Sequence, residues 1–295
     1  MNTKAFLAPR RLFLIGVAAL LPMAVSNTAP AQQQQDYFDI EKRASTAWSF
    51  SAGLDYSNGD YGSDSETEIW YAPVSAEMVV GNLRLRATVP WIAVEGTGDV
   101  VGGTAGPIVR RHGDGMGGGM TPPPPPPTPQ PDPIVTAQSG VGDIVLQAGY
   151  SFGGGALPWV EIIGKVKLPT ASASQNLGSG KTDLSVQADF WQSLGAVTPF
   201  ATIGYKVFGD PEGIALKNTP FASAGASLAI APRTSFGAAL DWRAATLAGA
   251  QDLLELSPFV TFALTERWIL TGYGVLGLKD GSPDGGAGLT LRLRL

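Results

Sequence analysis

Apolar and polar residues alternate with a period of two along most of this chain, and nowhere do they recur at the spacing of an amphipathic helix. Trp48, Phe50, Ala52, Leu54 and Tyr56 alternate with Ser49, Ser51, Gly53, Asp55 and Ser57. Leu83, Leu85, Ala87, Val89 and Trp91 do so with Arg84, Arg86 and Thr88, and Leu289, Leu291, Leu293 and Leu295 with Thr290, Arg292 and Arg294. The alternating segments run for roughly 9 to 13 residues, the length at which a tilted strand crosses the hydrocarbon layer of a membrane. Strands with one apolar and one polar face, in a setting where every backbone group must be paired, close into a barrel without edges. The expected fold is all-β: an antiparallel transmembrane β-barrel of the outer-membrane type.

The segments number about twelve, the even count that outer-membrane barrels favour: 46-57, 67-80, 83-94, 141-152, 157-168, 182-194, 197-208, 219-231, 233-244, 252-264, 266-278 and 286-295. With both termini in the periplasm, short turns should alternate with longer external loops. Gly81-Asn82, Gly153 to Ala156, Gly195-Ala196, Pro232 and Thr265 are short, whereas 58-66, 95-140, 169-181, 209-218, 245-251 and 279-285 are longer. If Gly81-Asn82 is a two-residue hairpin turn, Glu77 stands opposite Arg86, and a similar register brings Asp183 near Lys167.

Ahead of the alternating region, Arg10 and Arg11 precede the apolar run Leu12 to Val25 and a small-residue stretch ending at Ala31. That order reads as a secretory signal peptide over 1-31, too short in its apolar part for a spanning helix. The polar residues 32-45 read as a periplasmic lead-in to a barrel over 46-295. An exported chain without cysteine has no disulfide framework, and closure of a sheet is one device that can hold it together. A net charge of -5 argues against a nucleic-acid partner.

Tyr56, Trp70, Trp91, Tyr205 and Trp242 fall on the outward face toward the external end, and Trp48, Tyr150, Phe152 and Phe190 toward the periplasmic end, as two interfacial girdles would. Trp159 and Trp191 fall on the inward parity, and the alternation around Trp268 is ambiguous. The 95-140 segment, with Gly117 to Gly119 and six prolines from Pro122 to Pro127, reads as a Gly/Pro-rich external loop favouring an extended rod.

Charge is expected inside, because it is costly against lipid. The candidates lining the lumen are Glu77, Arg84, Arg86, Asp143, Glu161, Lys165, Lys167, Asp183, Asp189, Lys206, Asp241, Arg243, Arg292 and Arg294, with Asp55 and Glu255 on the same face. Both signs are present, so a mixed network is expected rather than a strongly ion-selective tube. Arg84, Arg86, Arg292 and Arg294 cluster toward the periplasmic end, either as a basic mouth for an anionic solute or as partners of inward carboxylates. Catalysis finds little footing: the single histidine, His112, lies in the Gly-rich loop, away from any rigid strand. No Cys or His cluster suggests a metal, and no cofactor is implied.

Four short runs carry a resemblance: Gly140-Val141-Gly142-Asp143-Ile144, Lys167-Leu168-Pro169-Thr170, Leu177-Gly178-Ser179-Gly180-Lys181-Thr182-Asp183, and Ile203-Gly204-Tyr205. In this order they resemble the outer-membrane protein family named for the MetA pathway of phenol degradation, over about residues 140-210. The resemblance implies an outer-membrane barrel that passes hydrophobic or aromatic compounds. Two features depart from it: Leu295 stands where such barrels usually end in an aromatic residue, and the polyproline insertion is unusual.

The resulting expectation is a bacterial outer-membrane channel, not an enzyme, that passively admits small apolar or aromatic solutes. Its partners would be outer-membrane lipid, the barrel-assembly machinery and the solute, with the barrel monomeric by default. The alternative is a structural or adhesive barrel whose external loop binds a partner.

Overall fold

The computed structural model describes residues 46-61, 66-96, 100-101, 108-109, 136-154, 157-175, 177-211 and 215-295. The expected signal peptide over 1-31 and lead-in over 32-45, His112 and the polyproline run lie outside them. Among the described residues the strands are β1 (Ala47–Gly59), β2 (Thr67–Val80), β3 (Leu83–Gly96), β4 (Val100–Val101), β5 (Ile108–Val109), β6 (Thr136–Val141), β7 (Ile144–Gly154) and β8 (Leu157–Leu168). They continue with β9 (Asp183–Trp191), β10 (Val197–Val207), β11 (Thr219–Ala231), β12 (Thr234–Arg243), β13 (Leu253–Ala263), β14 (Trp268–Gly277) and β15 (Gly285–Arg294). β4 and β5 pair only with each other.

The other strands make one antiparallel sheet that follows sequence order around the wall, except that β6 and β7 both pair with β3, and β1 pairs with β15 to close the ring. The wall is a twelve-strand barrel with β6 as one extra strand. β6 and β7 lie end to end along β3, Trp91 opposite Val141 and Thr88 opposite Val145. Val89 and Pro90 of β3 therefore face three residues, Gly142 to Ile144, a β-bulge that re-aims the strand. The loop expected over 95-140 is accordingly corrected at both ends: β3 runs on to Gly96, and β6 occupies Thr136–Val141.

Alternation in the sequence becomes alternation of surroundings. Trp48, Phe50, Leu54, Trp70, Val74, Trp91, Tyr150, Phe152, Ile203, Tyr205 and Leu289 are exposed on the outside, while the residues between them are buried within. So long an exposed apolar surface has its natural solvent in lipid. Trp268 is 40% exposed, which places it on the outer face and resolves the ambiguity of its strand. Tyr56 lies against Trp70 and Tyr150 against Phe152, both with ring centroids 4.8 Å apart, so each end of the wall carries packed outward aromatics.

Val80 pairs with Leu83 across Gly81-Asn82, and Gly81 takes φ 56° at the first central position, as a type II′ hairpin requires. Asn82 then ties the turn to the next strand by donating from its side chain to the Ser151 carbonyl at 2.9 Å. Pro73 faces Pro90 across β2 and β3. Neither can donate to a ladder. Each sits where pairing to the strand beyond lapses: β1 pairs with β2 at Ala52–Val74 and again only at Asp55–Tyr71, and the bulge lies beside Pro90.

Inward aromatics follow one rule of placement. Phe200 stands opposite Gly225, Phe221 opposite Gly204, Phe259 opposite Gly237 and Tyr273 opposite Gly288. A Cβ on any of the four glycines would run into the facing ring. Each ring thus lies over the bare backbone of the next strand. Gly204→Val is expected to destabilise the barrel by about 1–3 kcal/mol through overpacking, since the near neighbours of a Cβ there are all atoms of the Phe221 ring. Phe221→Ala in the same chain should relieve most of that cost. Urea unfolding of the single and double variants in lipid vesicles measures the coupling, and strict additivity would refute it.

Candidate functional site in the barrel interior

The inward charges gather into separate groups. At the short-turn end, Glu77 on β2 is opposite Arg86 on β3 and hydrogen-bonded to it, as the two-residue turn dictates. Glu77 also receives Arg292 from β15 at 2.5 Å and lies 3.9 Å from Arg84. Arg84 reaches Glu161 on β8 at 3.2 Å, and Arg292 donates to Ser49 at 2.8 Å. The sequence left the basic residues here as either a mouth or a set of pairs. Arg84, Arg86 and Arg292 are the members of pairs, each within reach of a carboxylate. Arg294, at the last position of β15, is half-buried opposite Ser49.

Lys165 and Asp189 lie deeper. Lys165 is half-buried, opposite Ser185 and within electrostatic reach of Asp189, Arg86 and Glu161. Asp189 accepts from Thr202 at 2.7 Å and from Gln187 at 2.9 and 3.0 Å.

At the long-loop end Lys167 is opposite Asp183, at 3.2 Å, and also binds Asp143 at 2.9 Å and the Ser179 hydroxyl at 2.8 Å. Lys206 closes on Asp183 at 3.3 Å and stands over the Phe208 ring. Asp143 owes its position to the bulge, and it accepts the Ala171 amide at 2.9 Å; Asp183 accepts that of Gly209 at 3.2 Å. The network therefore fastens two loops and the bulge to three strands. Asp241 accepts from Ser257 at 3.1 Å and faces Glu255 across the β12–β13 ladder, with Arg243 diagonal to Glu255.

These groups are shielded from solvent: Glu77 and Arg84 are each 3% exposed, and Glu161 is 0%. Charges so placed hold one another in position at a large desolvation cost, and removing one member leaves the others uncompensated.

Between the charged groups, among buried Ser and Thr side chains such as Ser75, Thr88, Thr261 and Thr271, lie two apolar clusters. Trp191, Phe200, Ala239, Phe259 and Tyr273 form one buried cluster, with Trp159 and Val275 packed on it. Trp159 and Trp191, the two inward tryptophans of the sequence, are cross-strand partners stacked at 6.0 Å and 9°. A second cluster near the long-loop end comprises Tyr61, Ile69, Tyr71, Ile92 and Val94, closed by Ala171 and Leu177 of the β8–β9 loop. Sequence reasoning missed this second cluster. Its signal was the loss of alternation in Ile69-Trp70-Tyr71 and Trp91-Ile92-Ala93-Val94, where both parities are apolar. A strand with two apolar faces has apolar surroundings on both sides. Among the described residues, no His, Cys, Asp and Glu grouping could hold a metal ion.

Solved outer-membrane barrels share the fold. The COG4313 outer membrane channel from Pseudomonas putida F1 matches over 87% of this chain and 98% of its own, at 14% identity and a TM-score of 0.64. The CymD monoaromatic hydrocarbon channel matches at 10% identity and a TM-score of 0.43, over 95% of this chain and 94% of its own. The KdgM porin matches at 6% and 0.47, over 82% and 98%. The first shows the fold, and nothing rests on the other two. No curated protein sequence matches the chain. The closed wall and its apolar belt place the protein in the bacterial outer membrane, in contact with lipid. The family model described as MetA-pathway of phenol degradation matches residues 59–295, and the chain belongs to that family.

Proposed function

We propose that this protein is a passive outer-membrane channel for small apolar or aromatic compounds. The observation that carries the reading is the pair of apolar clusters inside a barrel whose outside is already apolar. A route for ions has no use for the Trp159–Trp191 stack, Phe200 and Phe259, nor for Ile69, Tyr71, Ile92 and Val94 at the loop end. Solutes without charge meet these surfaces at no desolvation cost, whereas a charged solute would have to compete with ion pairs that are already made. The Arg84, Arg86 and Arg292 group therefore stiffens the wall rather than receiving an anion. Membership of a family named for phenol degradation agrees with an aromatic solute. The barrel works as a monomer, since closure leaves no edge to pair, and the assembly machinery inserts it.

Vesicles with a lipopolysaccharide outer leaflet, prepared with and without the protein, provide the test. Labelled toluene is expected to enter several-fold faster when the protein is present, and glucose is not. Rapid glucose flux with unchanged toluene flux would replace this reading with a hydrophilic pore. Conductance in planar bilayers should be small, and Arg84→Ser with Arg86→Ser should change it through stability rather than selectivity.

A further inference from the structure

The apolar cluster at the long-loop end contains a polar atom that the barrel itself does not use. Tyr71 is 1% exposed and its hydroxyl has no hydrogen-bond partner. Buried hydroxyls are nearly always paired, because water lost on burial must be replaced. The same region supplies partners to its other tyrosines. Tyr61 shares a hydrogen bond of 2.9 Å with Ser57, and Tyr273 donates to Asp55 at 2.5 Å. Asp55 is the residue opposite Tyr71 on β1, yet the Tyr71 hydroxyl makes no bond to it.

The Asp55 and Asp143 carboxylates lie within electrostatic reach of that hydroxyl, and the apolar cluster that holds the ring comes from two sources. Ile69, Ile92 and Val94 belong to the rigid β2–β3 wall, whereas Ala171 and Leu177 reach in from the β8–β9 loop. Leu177 is 1% exposed, and its Cδ1 would come within 2.9 Å of a Cβ built on Gly140. It is the one large aliphatic residue between Thr170 and Asp183, so its burial is the loop's apolar anchor. A side chain held by a loop can withdraw without breaking any ladder of the wall.

We infer that this cluster is a solute-binding site in which Leu177 fills the seat of a small aromatic ring and the Tyr71 hydroxyl reads a hydroxyl or carbonyl group carried by that ring. The inference rests on the channel reading above and gives it a solute class: monoaromatic compounds with one hydrogen-bonding group, preferred over hydrocarbons of equal size. A site that pairs a solute hydroxyl discriminates against the analogue lacking it, because the protein hydroxyl is then left unpaired.

Benzyl alcohol and ethylbenzene, equal in heavy atoms and differing in the hydroxyl, are the probes. Equilibrium binding of each to the full-length protein in vesicles is compared with partition into protein-free vesicles, and heat-modifiable migration verifies folding of every variant. Wild type is expected to hold benzyl alcohol about tenfold more tightly than ethylbenzene, relative to partition. Tyr71→Phe should abolish that preference and keep ethylbenzene binding. Leu177→Ala should strengthen both and keep the preference. In the wild type, the tyrosine doublet in ultraviolet resonance Raman spectra should respond to benzyl alcohol and not to ethylbenzene, which tests the contact without any variant. A preference unchanged in Tyr71→Phe, a silent doublet, or no saturable binding in either wild type or Leu177→Ala overturns the site. Protein-dependent flux that ignores Tyr71 would overturn the site and leave the channel. Saturable, Tyr71-dependent binding without flux would do the reverse.

Discussion

Replacing Glu77 with alanine is expected to destabilise the folded barrel by about 3–5 kcal/mol, more than any other single change in the short-turn half of the interior. The carboxylate is the shared partner of Arg86 and Arg292 and lies 3.9 Å from Arg84. Without it three guanidinium groups from β3 and β15 face one another, with Glu161 as the nearest remaining counter-charge, at 3.2 Å from Arg84. Urea unfolding in lipid vesicles, followed by tryptophan fluorescence, reads the loss. Glu77→Gln should fall between wild type and alanine, since it keeps an acceptor but no charge. A cost under about 1 kcal/mol, the range of solvated pairs, would mean that water reaches this group freely and that its burial has no energetic meaning.

Lys167→Met is the second large effect, again about 3–5 kcal/mol, but of a different kind. Asp183 keeps Lys206 at 3.3 Å, so it does not lose its only cation. Asp143 loses the 2.9 Å contact to Lys167, and Asp143 is also what holds the Ala171 amide. Lys167 further gives up its bond to Ser179 on the far side of the same loop. The β8–β9 loop should therefore loosen before the wall does. Faster protease cleavage between Thr170 and Lys181, at denaturant concentrations where the barrel remains heat-modifiable, is the expected signature. Cleavage that appears only with global unfolding would show that the loop is not held by this network.

Much of this fold is legible in the sequence because membrane-spanning strands obey a strict rule. A period of two, a length set by the bilayer and an even count leave few alternatives, and a two-residue turn then fixes register outright. Glu77 opposite Arg86 follows from that register alone, and Lys167 opposite Asp183 from a similar hairpin register carried across the long 169-181 connection. What escaped is what breaks the rule. The bulge at Gly142-Asp143 shifts pairing by one residue without any change in hydropathy, and so hides β6 within the Gly/Pro-rich segment. The apolar cluster around Tyr71 was hidden because a rule built on alternation assigns a polar interior everywhere. The convergence of three arginines on one glutamate depends on β15 lying two strands away from β2 around the ring, which only closure brings about.

The four glycines that face inward aromatics give the barrel a means of setting its own calibre. A ring that stands upright from a strand reaches several ångströms toward the axis, whereas one laid over bare backbone adds only its thickness. Strand number fixes the girth of the wall, but the free bore is what remains after the side chains are stacked against it. At Gly204, Gly225, Gly237 and Gly288 a single methyl would press against the facing ring, and at Gly204 all its near contacts are with that ring. Relatives that differ at these glycines, with the aromatics retained, would have a narrower passage on an unchanged wall, so the largest solute admitted can be tuned without touching a residue that meets the solute.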